Sequence, residues 1–256
     1  MEPRINKMEN VYFIAKAIFT VIVLLVAVFA VSSLFAAQNI SMISTSVVFV
    51  VYAIMIWVFI IFQKIYLVAY LKGNGISISE RQFPEVYSAY IEMARKLNIN
   101  KPPKLFIIQE GGFLNAFAIR FSGKNYIAIY SEVMALIESD INTVKFVLAH
   151  ELGHVKRNHM SKRFWTFPSS IIPFLTAAYS RRCEYTCDNI GIFLSPDCNE
   201  DGLLVLAAGS QLYKKIDKQS YIEEANANYS MSVKSMQLFM SHPYLPKRIA
   251  NISKSK

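Results

Sequence analysis

Two long apolar runs near the start of the chain limit its possible folds more than any other feature. Residues Ala17 to Ala37 form a run of 21 without a charge, and Gln38 to Gln63 form another of 26. A helix needs about 20 apolar residues to cross a hydrocarbon core about 30 Å thick, so spans are expected at about residues 17–37 and 43–63. Hydrophobic residues make up 54% of the 256, which fits a chain lying partly in lipid. The first run is longer than the apolar stretch of a cleaved signal, so a retained anchor is expected. Arg4, Lys7 and Lys16 precede the first span, Lys64, Lys72 and Arg81 follow the second, and the connection between them is uncharged. The positive-inside rule then puts both ends of the chain in the cytoplasm. A net charge of +9 suits contact with anionic lipid of that leaflet. No motif gives it a nucleic-acid partner.

The glycines and asparagine of Gly73 to Ser79 mark the end of the membrane region, residues 1–72, and the start of a soluble-looking domain, 73–256. Val86, Tyr90, Met93 and Leu97 have helical spacing within Glu80 to Leu97. Leu105–Gln109, Phe113–Phe121 and Tyr126–Tyr130 read as short strands separated by turn residues. Gly202–Ile216 reads as a core helix, and the run around Glu223 and Glu224 as a solvated loop. Met231–Met240 reads as a helix whose methionines fill the core. The whole is a mainly helical membrane protein, with two N-terminal spans and an α+β domain around a small antiparallel sheet.

The chemistry of this domain centres on Val147 to Asn158, V-L-A-H-E-L-G-H-V-K-R-N. Residues four apart on a helix turn through about 400°, so His150 and His154 leave one face and can share a zinc ion. Glu151 projects beside the first of them, where its carboxylate reaches a metal-bound water without ligating the metal. That is the position of a general base. Ile141, Val144, Val147 and Leu148 continue the helical spacing backwards, with Ser139 or Asp140 available as the N-cap. Ala149 and Gly153 leave room for close approach around the histidines.

Zinc needs a third protein ligand, and only His159 and His242 remain among the histidines. On an unbroken helix His159 would face the wrong side, half a revolution from His150. A carboxylate from a later helix is the better source. Arg181 to Asp188, R-R-C-E-Y-T-C-D, sets Glu184 and Asp188 on one face. Glu184 can ligate, and Asp188 can accept the outer N–H of a liganding histidine. Cys183, Cys187 and Cys198 form an odd set without disulfide spacing, in keeping with a reducing compartment. They read as small buried residues rather than ligands.

These stretches resemble the membrane-bound zinc metallopeptidases of the HtpX and CaaX-prenyl-endopeptidase family, a gluzincin group. The resemblance rests on N-A-F-A at Asn115 to Ala118, H-E-L-G-H at His150 to His154, E-x-x-x-D at Glu184 to Asp188, and S-H-P with a later arginine at Ser241 to Arg248. Two departures stand out: Cys187 occupies a position usually held by alanine, and the apolar stretch between the two metal motifs is short. The resemblance implies one zinc ion per chain and a zincin-like protease fold. It further implies that Asn115, Ala116, Phe117 and Ala118 supply a substrate-binding edge, that His242 steadies the oxyanion, and that Arg248 orients the same loop. Periodicity alone leaves the 115–118 strand as easily an ordinary hairpin.

Phe164 to Ser180 is uncharged but interrupted by Pro168 and Pro173. Relatives of the HtpX type carry a hydrophobic hairpin here, so a membrane-associated segment at 164–180 stands beside a buried helix as an alternative. The expected function is zinc-dependent hydrolysis of peptide bonds in membrane or misfolded proteins, with the lipid bilayer as the other partner. A prenyl-protein endopeptidase and an inactive zinc-holding scaffold are the alternatives. Two spans favour the HtpX-like reading over the prenyl one.

Overall fold

Both apolar runs fold as helices that outlast the runs themselves. The computed structural model describes residues 2–36, 40–109, 116–198 and 200–253. Helix α1 (Lys7–Ala36) has 30 residues and α2 (Ile40–Asn74) has 35. Lys7–Leu34 and Ile43–Asn74 are long and apolar enough to cross a membrane. Large apolar side chains such as Val28, Phe29 and Phe49 lie open on their outer faces. Glu9, Lys16 and Thr20 of α1 turn inward instead, as charged groups in membrane helices do. Glu9 and Lys16 are fully buried, and Lys16 Nζ donates to Thr176 Oγ1 at 2.7 Å. At its other end α2 runs past its lipid-facing part, and Val68 and Leu71 pack against the sheet of the following domain.

That domain begins with β1 (Ile76–Ser77), α3 (Pro84–Lys96), β2 (Lys104–Ile108), β3 (Ala116–Phe121) and β4 (Lys124–Tyr130). Helix α3 starts at Pro84 rather than at Glu80, because proline's fixed φ suits a first helical turn. It buries Val86, Tyr90, Met93 and Ala94. The sheet has the order β1-β2-β4-β3 and is mixed rather than antiparallel. β3 and β4 form an antiparallel hairpin about Ser122 and Gly123, both at positive φ, but β2 lies parallel to β4 on its other side. β4 therefore lies between β2 and β3, and alternation within single strands carries no trace of that order. Burial follows the order: Ile127, Ala128 and Ile129 of central β4 are fully enclosed, and β3 is the terminal strand.

After α4 (Ser131–Met134) come α5 (Ile141–Lys156), α6 (His159–Trp165) and α7 (Pro173–Leu194). Asp140 caps α5. Its carboxylate accepts from Thr143 N at 3.1 Å and from Tyr213 OH at 2.7 Å. Helices α5 and α7 pack closely because Gly153 has no side chain at their contact. A Cβ there would lie 3.1 Å from Cys187 Sγ and 3.2 Å from Cys187 Cα.

The uncharged stretch 164–180 is divided between the end of α6, a 3-10 turn at Phe167–Ile171, and the first turns of α7, with Pro168 and Pro173 in the opening turns of the last two. Trp165 and Ile171 are each 74% exposed, so the stretch is not a buried helix throughout. The chain closes with α8 (Asp201–Leu212), α9 (Lys218–Ala227), α10 (Met231–Gln237) and α11 (Leu245–Ser253).

Two expectations fail here. The run around Glu223 is helical, started by Asp217 accepting from Ser220 N at 2.7 Å. The methionines of the 231–240 run do not fill the core: Met231 and Met236 of α10, and Met240 beyond it, are exposed.

Candidate functional site

Helices α5 and α7 meet at a cleft of about 450 Å³, whose wall includes Ala116, Phe117 and Ala118 of β3 and whose floor carries His150, Glu151, His154 and Glu184. On α5 the two histidines stand one turn apart, with ring centroids separated by 5.1 Å. Their Nε2 atoms turn toward a single carboxylate: His150 Nε2 is 3.4 Å from Glu184 Oε2, and His154 Nε2 is 3.5 Å from Glu184 Oε1. Ligand atoms on a tetrahedral ion with bonds of about 2.0–2.1 Å stand about 3.3–3.4 Å apart. The distance from each histidine to the carboxylate therefore suits a shared zinc ion, as does the chemistry of two imidazoles and one carboxylate.

The charges around this point fit a cation as well. Glu151, Glu184 and Asp188 are all buried, and one buried guanidinium, that of Arg248, is set against them. Burial alone would raise Glu184, but His150, His154 and Arg248 hold it well below the usual carboxylate range. Burial disfavours charge on His150, yet Asp188 and Glu184 outweigh it and raise its pKa to about 10. The carboxylates thus draw positive charge to the His150 side of the site. His154 is held well below its ordinary value, chiefly by burial. Glu151 is pushed up to about 7, again by burial first, which suits a group that must take and release a proton near neutrality.

Behind the histidines, His150 Nδ1 lies 3.0 Å from Asp188 Oδ1, at contact distance though without the alignment of a full hydrogen bond. Asp188 is held in turn by a forked pair from Arg248, Nε to Oδ2 at 2.9 Å and Nη2 to Oδ1 at 2.6 Å. Arg248 Nη2 also stands 3.6 Å from Glu184. Its guanidinium therefore serves the two carboxylates of α7 while its side chain lines the cleft. At the mouth, exposed His242 places Nε2 3.6 Å from Glu184 Oε1, and its Nδ1 shares a 3.0 Å contact with Ser241 Oγ.

A ligand atom of Cys187 also lies within 4.8 Å of one from each of the two histidines. This thiol is fully buried and does not border the cleft. It contacts His159 Nδ1 at 3.8 Å, on the side of His154 away from Glu184, and burial raises its pKa well above the usual value. The carboxylate of Glu184, unlike this thiol, borders the cleft.

The structure thus gathers His150, Glu151, His154, Glu184, His242, Arg248 and Ala116 to Ala118 around one cleft, with Asp188 behind it. Asn115 lies outside the described residues. His159 does not sit where an unbroken helix would carry it. Asn158 adopts φ 54° and breaks the helix, so α6 doubles back and brings His159 Nδ1 to 2.9 Å from His154 Nδ1. An asparagine after the last helical residue was the available signal, since asparagine enters the left-handed region more readily than most residues.

A second cavity of about 430 Å³ adjoins the first. The two share Ala118, Met160 and Arg163, and the second is lined by Leu24 of α1, Trp57 and Ile60 of α2, and Trp165 and Phe167.

Histidines and a carboxylate so arranged, on a helical domain behind two membrane-length helices, are the equipment of a membrane-associated metallopeptidase. Comparison with known proteins gives the class its family. The model described as Peptidase family M48 matches residues 80–168 and 166–256, and the chain belongs to that family. It is 24% identical over 223 residues to the "Protease HtpX homolog" of Helicobacter pylori (strain Shi470), covering 72% of this chain and 69% of that protein. The homologue from Helicobacter acinonychis (strain Sheeba) is 24% identical over 210 residues, 66% of each chain. The Arabidopsis thaliana "Plastoglobule-localized metallopeptidase 48, chloroplastic" is 24% identical over 174 residues, 60% of this chain and 49% of that one. The matched part thus spans about half of the Arabidopsis relative and about two thirds of the Helicobacter ones. No solved structure matches.

Proposed function

We propose that this chain is a zinc-dependent endopeptidase that cuts membrane or misfolded proteins at the cytoplasmic face of a bilayer. The observation that carries the reading is the approach of both histidine Nε2 atoms to Glu184, at 3.4 and 3.5 Å, beside the buried carboxylate of Glu151. His150, His154 and Glu184 would hold the ion. Zinc supplies a water of lowered pKa and polarises the scissile carbonyl.

The remaining work falls to the chain. Terminal strand β3 lies along the cleft and can align an extended substrate by backbone hydrogen bonds, which any sequence offers. Glu151 takes the proton of the attacking water and returns it to the departing amine. His242, at the mouth, donates to the oxygen on which negative charge develops. Asp188 holds His150, and Arg248 holds Asp188 and Glu184.

The basic residues flanking the two spans support a two-span topology with both ends cytoplasmic. Exposed Trp165 and Phe167, which line one cavity with Leu24 and Trp57 of the membrane helices, support the reading that this stretch enters the lipid boundary.

The direct test compares wild type with Glu151→Gln, purified in detergent, for bound zinc and for cleavage of a membrane-protein substrate. The expected result is about one zinc in each and cleavage by wild type alone. A Glu151→Gln variant that still cleaves removes Glu151 from the role of base. Wild-type protein that takes up no zinc overturns the metal assignment.

A further inference from the structure

His154 presents two edges, and only one faces the cleft. Nε2 lies 3.5 Å from Glu184, while Nδ1 lies 2.9 Å from Nδ1 of His159. Nitrogens at that distance share one hydrogen, so one ring donates and the other accepts. Resting on the reading above, in which His154 gives its Nε2 lone pair to the metal, the proton of that ring sits on Nδ1. His154 then donates, and His159 accepts through Nδ1. The proton of His159 is left on Nε2, which lies 3.2 Å from Glu9 Oε1. One set of tautomers satisfies both contacts.

The far end of this chain is in the first membrane helix. Glu9 is completely buried, and His159 is 1% exposed. The Glu9 Oε1 atom is also approached by Arg157, with Nε at 3.0 Å and Nη2 at 2.9 Å, and by Lys162 Nζ at 3.8 Å. Tyr179 of α7 closes the site, its ring edge-on to His159 at 6.4 Å. A carboxylate on a membrane helix that is wholly withdrawn from lipid marks a functional contact.

We propose that Glu9 and His159 form an outer relay that fixes the tautomer and orientation of His154, so that Glu9, reaching in from the first membrane helix, sets the zinc affinity of the site. Asp188 stands behind His150 in the same relation. Neither Glu9 nor His159 touches substrate; both are positioning residues acting through His154.

The test uses the full chain in detergent and reads zinc Kd by chelator competition, the visible spectrum of the cobalt(II) form, and the Tm of metal-free protein. Loss of such an outer partner typically weakens metal binding about 10–100-fold, and that is expected for His159→Ala. Glu9→Gln should weaken it less. His159→Asn should recover most of the affinity, because its amide oxygen can take the Nδ1 position as acceptor. The cobalt bands should shift in His159→Ala and return in His159→Asn.

Thr176→Val is the control: it removes the hydroxyl that Lys16 contacts, an α1–α7 contact that lies outside the relay. Its Kd should stay within about twofold of wild type, well inside the range expected for a lost outer partner. If His159→Ala does not fold, Glu9→Gln and His159→Asn carry the test.

Variants of Glu9 and His159 that lower Tm but leave Kd and the cobalt spectrum unchanged overturn the relay. So does a Thr176→Val variant as weak in zinc as the relay variants. Absence of zinc binding by wild type, or full binding by His150→Ala, instead overturns the metal reading beneath it.

Discussion

Breaking the buried pair of Arg248 and Asp188 should damage the domain more than removing both members. Asp188 is 0% and Arg248 5% exposed, and two hydrogen bonds, at 2.9 and 2.6 Å, join them. Arg248→Met leaves a carboxylate enclosed with His150 as its remaining contact, and Asp188→Leu leaves a guanidinium 3.6 Å from Glu184. Removing one partner of a buried pair typically costs about 3–5 kcal/mol, whereas apolar replacement of both is often close to neutral. Each single variant should therefore lose about 3–5 kcal/mol, and the double variant should lose far less than the sum. Arg248→Lys keeps the charge but not the fork, and should fall between wild type and Arg248→Met. Stability is best read by pulse proteolysis across a urea series in micelles. The chain has only two tryptophans, Trp57 and Trp165, both exposed, which makes fluorescence a poor reporter. Single losses below about 1 kcal/mol, the scale of an exposed pair, or a double variant equal to the sum, would refute the reasoning.

Other outcomes follow from the same geometry. His242→Ala removes an exposed side chain at the cleft mouth, so zinc content should hold while kcat falls by about 10²–10³, the usual effect of losing an oxyanion donor; an unchanged kcat would take His242 out of the reaction. Burial would raise Asp140, but hydrogen bonds from Tyr213 and Thr143 outweigh it and hold its pKa below 3.8. A depressed folded pKa contributes stability above the unfolded value and loses it as pH falls through the folded one. Acid urea titrations should therefore show a stability loss below pH 3.8 that is absent in Asp140→Asn. Asp140→Ala should cost about 1 kcal/mol at neutral pH through loss of the α5 cap.

The features legible in the sequence were those written locally. The charge-free runs gave the membrane helices, and helical spacing put His150, His154 and Glu151 on α5. The cap was narrowed to Ser139 or Asp140, and Asp140 serves. Glu184 emerged by elimination among few candidates, and its approach to the histidines depends on Gly153, whose missing side chain lets α5 and α7 close. What escaped depended on chain reversals. The place of His159 follows from the end of the helix at Asn158, and the parallel β2–β4 pairing is a long-range register that no single strand records. Glu9 lies 150 positions from His159, and a single carboxylate ahead of an apolar run gives no hint of its partner. The exposed methionines of α10 were misread for a related reason: helical spacing identifies a face but not what covers it.

The two adjoining cavities carry a consequence for encounter. Ala118, Met160 and Arg163 border both the cleft and the cavity lined by Leu24, Trp57 and Ile60 of the membrane helices. The cleft thus adjoins a cavity walled in part by the two membrane-length helices. Under the proposed function, a substrate anchored in the same bilayer arrives by lateral diffusion, and its search is two-dimensional. The concentration that governs turnover is then the number of substrate molecules per lipid. Diluting loaded vesicles with buffer leaves the rate per enzyme unchanged, whereas spreading the same molecules through added lipid slows it.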